Sequence, residues 1–115
     1  MDFRLNPDPG QMEPSDFTPP EAFTTGDRRE VNASKFATED ESVLCGVWEC
    51  APCREEIEAY PVHEMMTVIS GSVTLTHPDG RAETMGPGDT FFIAKGTPLT
   101  WEITETLRKH YLIVA

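Results

Sequence analysis

Glu58-Ala59-Tyr60-Pro61-Val62-His63-Glu64-Met65-Met66-Thr67-Val68-Ile69-Ser70-Gly71, followed by Gly86-Pro87-Gly88-Asp89 and Ala94-Lys95-Gly96, is the stretch whose reading decides the fold. Short runs of β-branched and apolar residues alternate with glycine and proline turns, the pattern of strands rather than helices. The same pattern extends outward in both directions. Ser42–Cys50 and Glu55–Tyr60 read as strands before it, the second broken by Pro61. Met65–Ile69 and Ser72–Thr76 flank Ser70-Gly71, and His77-Pro78-Asp79-Gly80 has the proline and glycine placement of a type I turn. Arg81–Met85, Thr90–Ala94, Leu99–Thr104 and Leu107–Val114 complete the series. Strands at intervals of about 8–12 residues with no helical stretch imply an all-β sandwich or barrel.

The chain has 115 residues, enough for one core and one domain. It carries 9 basic and 20 acidic side chains, a formal net charge of −11. Such a surface repels phosphate backbones and anionic lipid, so neither nucleic acid nor a membrane is an expected partner. No apolar run approaches the ~20 residues that span a bilayer. Met1-Asp2-Phe3-Arg4-Leu5-Asn6-Pro7 lacks the basic-then-apolar layout of a signal peptide. A cytoplasmic location is the expectation.

Residues 1–40 read differently from residues 41–115. Residues 1–36 hold five of the ten prolines and show no sustained periodicity, yet they also hold Phe3, Phe17, Phe23 and Phe36, four of the six phenylalanines. Disordered segments are poor in aromatics. The segment is therefore expected to be an extended arm lying on the barrel or on a second subunit, hinged at Thr38-Glu39-Asp40-Glu41, and a homodimer is the expected assembly. Cys50-Ala51-Pro52-Cys53 has redox or zinc spacing. Without an adjoining helix or a second ligand pair it reads as coincidence at a strand end, and Cys45 as a small buried residue.

The ordered motifs carry a family resemblance. Glu64-x₆-Gly71, Gly88 with Gly96 eight residues later, Gly46-Val47-Trp48-Glu49-Cys50, Thr100-Trp101-Glu102 and Arg108-Lys109-His110-Tyr111 resemble the small cupins. These are the single-domain relatives of ureidoglycine aminohydrolase and of the ethanolamine-utilisation cupins. The resemblance covers about residues 42–114 and implies an antiparallel double-stranded β-helix, the RmlC-like jelly-roll barrel. It also implies where a metal would sit: an H-x-H pair before the glutamate and a histidine after the second glycine. Here the first slot holds Glu58-Ala59-Tyr60 and the last holds Leu99, so that only Glu64 matches. The aminohydrolase variant has a glutamate at the Glu58 position.

Strand alternation suggests what replaces the metal. Residues two apart share a face, so Glu58 and Tyr60 point the same way, and Leu99 and Trp101 do likewise. Glu58, Tyr60 and Glu64 lining the barrel would make an oxygen-only site, suited at most to weak binding of a divalent ion such as manganese. No cofactor is expected, and Glu58, Glu64 and His63 are the weak metal candidates. Buried acids need compensation. Lys109 and Tyr111 share one face of the last strand, with His110 and Leu112 on the other, and either pair can face inward. With Lys109 inside, Glu64, Tyr60, Glu58 and Lys109 form a candidate catalytic group and Trp101, Leu99 and Tyr111 a ligand-binding wall. With Glu58 at the rim and Lys109 outside, the site dissolves. His63 is expected on the opposite face from Glu64.

Two functions remain open on sequence. One is a module that binds a small polar metabolite in the barrel around a degenerate metal site. The other is an enzyme, hydrolase- or aminohydrolase-like or isomerase-like, acting on a nitrogen-containing metabolite as the resemblance implies.

Overall fold

Two long strands organise the molecule in the computed structural model, which describes residues 2–115. Strand β5 runs over His63–Thr76 and β8 over Leu99–Val114, antiparallel along most of their length. The remaining strands are β1 (Glu13–Pro14), β2 (Glu30–Ala37), β3 (Val43–Cys50), β4 (Cys53–Ile57), β6 (Ala82–Met85) and β7 (Thr90–Ile93), with one 3₁₀ turn at Pro20–Ala22. All pairings are antiparallel, and the architecture is the all-β jelly roll that the resemblance implies. Among the described residues no helix is long and apolar enough to cross a membrane.

Each long strand serves two layers. The first half of β5 pairs with β7 and with the second half of β8, which also pairs with β3, and β3 continues to β2 and β1. The second half of β5 pairs with β6 and with the first half of β8, which also pairs with β4. The sequence reading divides β5 at Ser70-Gly71 and β8 after Thr104. Both strands instead run on through register irregularities between Val68 and Val73. Gly71 explains how. It has φ +79°, and a Cβ there would lie 1.9 Å from the carbonyl oxygen of Thr106. Only glycine lets β5 bend this close to β8, so the chain changes layer without a turn.

The core lies between the layers. Met66, Val68 and Leu107 from one and Val73 and Ile103 from the other are almost wholly buried. Each contributes about 1.5–3 kcal/mol on leaving water. Trp48 and Trp101 meet edge to face across the layers at 6.4 Å. Cys50 and Cys53 are free, fully buried thiols joining β3 to β4.

The arm needs correcting in two respects. Residues 30–37 belong to the sheet as β2, and the expected hinge is the tight β2–β3 loop, with Glu41 at φ +59° and Asp40 accepting from Thr38 and Ser42. The phenylalanines are not what fastens the arm. Phe3, Phe17 and Phe36 are exposed, and of the four Phe23 alone packs against the core. What holds the arm is Glu30. Its buried carboxylate accepts from Ser15 Oγ, the backbone N–H of Phe17 and Thr18, and the indole Nε1 of Trp48.

Candidate functional site

Tyr60 is placed by backbone before its side chain matters. Its N–H donates to the Thr97 carbonyl at 2.9 Å, and its own carbonyl accepts from Gly96 N–H at 2.8 Å. The β4–β5 loop is thereby tied to the β7–β8 loop, and the phenol points into the barrel. There it donates to Glu64 Oε1 at 2.6 Å. Glu64 stands on the inward face of β5, and its other oxygen, Oε2, accepts from Lys109 Nζ at 2.8 Å. Lys109 comes from β8 and is 4% exposed, against 5% for Glu64. Its ammonium also lies 2.8 Å from Met66 Sδ, 4.8 Å from the centre of the Trp48 ring and 5.0 Å from that of Trp101. Two indole faces, a thioether and one carboxylate thus share a single buried charge.

Burial acts first on the Tyr60 hydroxyl, and the adjacent Glu64 charge and hydrogen bond act in the same direction; its pKa is raised far above the ordinary phenol range. Tyr60 is therefore a neutral donor at any physiological pH. Tyr111, two residues from Lys109 on the same inward face, donates to Asn32 Oδ1 at 2.6 Å. Its pKa is raised by burial as well, against the pull of that hydrogen bond. The Gly46 position on β3 leaves room for this ring: a Cβ there would come within 2.9 Å of the Tyr111 hydroxyl and 2.3 Å of the Ala33 carbonyl oxygen.

The structure brings Tyr60, Glu64, Lys109 and Trp101 into one cluster, with Tyr111 and Leu99 buried nearby. It does not bring Glu58 there. Strand β4 ends at Ile57, the chain bends, and Glu58 is exposed, so the alternation that would have paired it with Tyr60 no longer applies. His110 and Leu112 take the outer face of β8. His63 is exposed too; its Nδ1 accepts from Lys95 N–H at 3.1 Å and its ring stacks on Phe92.

These residues do not fit a metal ion. Both Glu64 oxygens are already occupied, one by a fixed ammonium that would repel a second cation. Among the described residues no three His, Cys, Asp or Glu side chains are grouped to hold one. Lys109 is the positive charge that faces Glu64 in this barrel.

Beside this closed cluster is a cavity of about 150 Å³ between the end of β5, β6, β7 and the start of β8. Leu75, Met85, Phe91, Ile93 and Leu99 form its apolar walls, and Thr76, His77, Glu83 and Thr97 its polar parts. Of the residues proposed from sequence, only Leu99 lines it. Ile93 connects the two features, since it lines the cavity and is the direct cross-strand neighbour of Glu64. Leu75 likewise faces Trp101 across the strands. At the rim His77 Nε2 and Glu83 Oε2 are 2.5 Å apart, with Arg81 Nη2 3.4 Å from the same ring nitrogen. The spacing of the metal slots does not reach these residues; the alternation of Phe91 and Ile93 on β7 is the signal in the sequence that points to them.

A jelly roll with two bent central strands and an inward glutamate after a β4–β5 loop defines a cupin. Residues 37–111 match the EutQ-like cupin domain, and the chain belongs to that family. Among solved structures, a Pseudomonas syringae pv. tomato protein of unknown function is 27% identical, with a TM-score of 0.84. The match covers 96% of this chain but 46% of that one, so this chain spans about half of that relative. The Clostridium difficile EutQ protein is 24% identical over 81% of this chain and 75% of its own, with a TM-score of 0.62. A putative ethanolamine utilisation protein Q from Salmonella typhimurium is 19% identical, covering 91% and 98% of the two chains, with a TM-score of 0.64. The last two support the fold alone. No curated protein matches the chain.

Proposed function

We propose that this cupin binds a small metabolite with a polar end in the cavity beside the Glu64–Lys109 cluster, with Lys109 supplying the internal positive charge in place of a metal. The observation that carries the reading is the cavity of about 150 Å³ ending on Ile93, one strand from Glu64. That volume accommodates on the order of six non-hydrogen atoms. Apolar walls would take the body of the ligand, and the His77–Glu83 rim its polar end. The acidic surface disfavours nucleic acid and anionic membranes, and the fully buried free thiols of Cys50 and Cys53 accord with a reducing, cytoplasmic setting. Binding is favoured over aminohydrolase-like chemistry because the cluster offers no free base: Tyr60 is held protonated and both Glu64 oxygens are engaged.

The test is a titration of tag-free protein with small amines, amides and carboxylates, followed by tryptophan fluorescence. Ethanolamine belongs in the first panel, given the name of the Salmonella relative. Trp101 reports because Leu75, its cross-strand neighbour, lines the cavity. A saturable signal that weakens at least about tenfold in Leu99→Trp, which fills the cavity, is expected. No response across the panel would contradict the reading, and turnover of a panel compound would replace binding by catalysis.

A further inference from the structure

Cys50-Ala51-Pro52-Cys53 carries the chain from β3 to β4, and both of its thiols are free and wholly buried. Their cross-strand neighbours on β8, Leu107 and Ile103, belong to the core. The arm supplies a cover. Thr18 Oγ1 is 3.7 Å from Cys50 Sγ, Phe23 bridges to Cys53, and Thr24 N–H donates to the Pro52 carbonyl at 3.2 Å. Between these contacts the 3₁₀ turn Pro20–Ala22 packs on β4 with Ala22 buried.

This cover is a strap with a fastening at each end. Glu30 holds one end by accepting from Ser15, Phe17 and Thr18, and Phe23 holds the other by packing against the core. Asp16, Phe17, Pro20 and Glu21, in the same stretch, are exposed. A segment with so few buried contacts opens at a lower free energy than the barrel beneath it.

The two thiols are chemically unequal. The hydrogen bond to Cys53 first, and burial second, keep the Cys50 thiol protonated. The same bond lowers the pKa of Cys53, against burial, and the Ile103 backbone N–H adds to the effect. The Glu30 charge opposes a thiolate at either sulfur, a brake that relaxes when the strap opens and water reaches the carboxylate. An isolated buried cysteine is an inert apolar filler. A polarised pair, one sulfur turned towards thiolate and its neighbour kept as a thiol, has the division of labour that thiol–disulfide exchange requires.

We infer that Cys50 and Cys53 form a redox-active dithiol, covered by arm residues 15–24 and closed to an internal disulfide by a small disulfide oxidant when that strap lifts. Cys53 attacks one sulfur of the oxidant, forming a mixed disulfide and releasing one small thiol. Cys50 then attacks the Cys53 sulfur, the internal bond forms, and the second small thiol leaves. The protons and electrons lost by the pair depart on the two released thiols. The site shares no residue with the ligand cavity and does not rest on the binding reading.

The full chain carrying Cys45→Ser, which removes the third thiol, tests this with bis(2-hydroxyethyl) disulfide, a neutral probe that the acidic surface does not repel. Samples are quenched with N-ethylmaleimide in denaturant and weighed intact. Both cysteines are expected to take the label before treatment and neither after it, with no probe retained. Adding Cys50→Ser is expected to stop the reaction at a probe adduct on Cys53. Glu30→Gln and Phe23→Ala loosen the strap from opposite ends, and each is expected to speed ring closure at least about tenfold. Urea below the unfolding transition is expected to leave the rate nearly flat, because opening the strap exposes little surface. Thiols that stay free in both strap variants, probe adducts without ring closure, or closure that rises in step with the unfolding constant in urea would each overturn the proposal.

Discussion

Arg108 and Lys109 are neighbours on β8, both paired to a glutamate, and strand alternation sends them into opposite worlds. Lys109 faces inward to Glu64 at 2.8 Å, with side-chain exposures of 5% and 6%. Arg108 faces outward to Glu49 at 3.0 Å, with exposures of 20% and 16%. Glu49 also takes Arg29, while Arg108 reaches the Pro7 carbonyl and Asp8 and so helps to hold the arm down. The outer group can lose a member and let water replace it. The inner group cannot: Glu64, Lys109 and Tyr60 were desolvated together, and each remains buried if another is removed. Similar bond lengths therefore conceal very different consequences.

The largest expected effect breaks the inner group. Lys109→Met leaves Glu64 buried without its cation and should cost about 3–5 kcal/mol in urea unfolding. Changing both partners, Glu64→Leu with Lys109→Met, should recover most of that loss. A single variant no worse than the double would show that the cluster is not a unit.

A middle-sized effect is expected at Glu30, which links arm to barrel. Burial tends to raise its pKa, but Ser15, Thr18, Trp48 and Phe17 as donors outweigh this and hold it below the ordinary carboxylate value of 4.5. A depressed folded pKa means stability that is present above the unfolded value and lost as pH falls through the folded one. Arm protection in hydrogen exchange at residues 15–18 should thus be constant near neutrality and decline below about pH 4.5. Glu30→Gln should lose about 1–3 kcal/mol and flatten that decline. Protection that rises on acidification would contradict the assignment.

The smallest effect is expected at Arg108→Ala. Removing the outer partner should cost no more than about 1 kcal/mol, with the arm near Pro7 more open to protease and the barrel intact. A loss equal to that of Lys109→Met would erase the contrast between the two faces.

Much of the barrel is legible in the sequence because turns and alternation are local. His77-Pro78-Asp79-Gly80 closes as expected, with Gly80 N–H donating to the His77 carbonyl at 2.9 Å. Glu64 follows from the spacing Glu64-x₆-Gly71, Leu99 from the slot three residues after Gly96, and Trp101 from strand alternation two residues beyond Leu99. The rest depends on geometry that no local pattern carries. Strand β2 is hidden because its inward positions include Asn32 and Ser34, with Asn32 polar for the sake of Tyr111. The choice between Lys109 and His110 depends on where β8 bends against Gly71, a long-range contact. Glu58 is misplaced because a strand end one residue earlier cancels the alternation. The cavity is assembled from β5, β6, β7 and the start of β8, elements that only the fold brings together.

Elemental analysis decides whether Lys109 or a metal ion is the cation that faces Glu64. Tag-free protein purified without chelator should hold no stoichiometric zinc, iron, nickel, copper or manganese, because Glu64 already has its donors. About one such ion per chain, removed by chelator and missing from Glu64→Ala, would contradict the account.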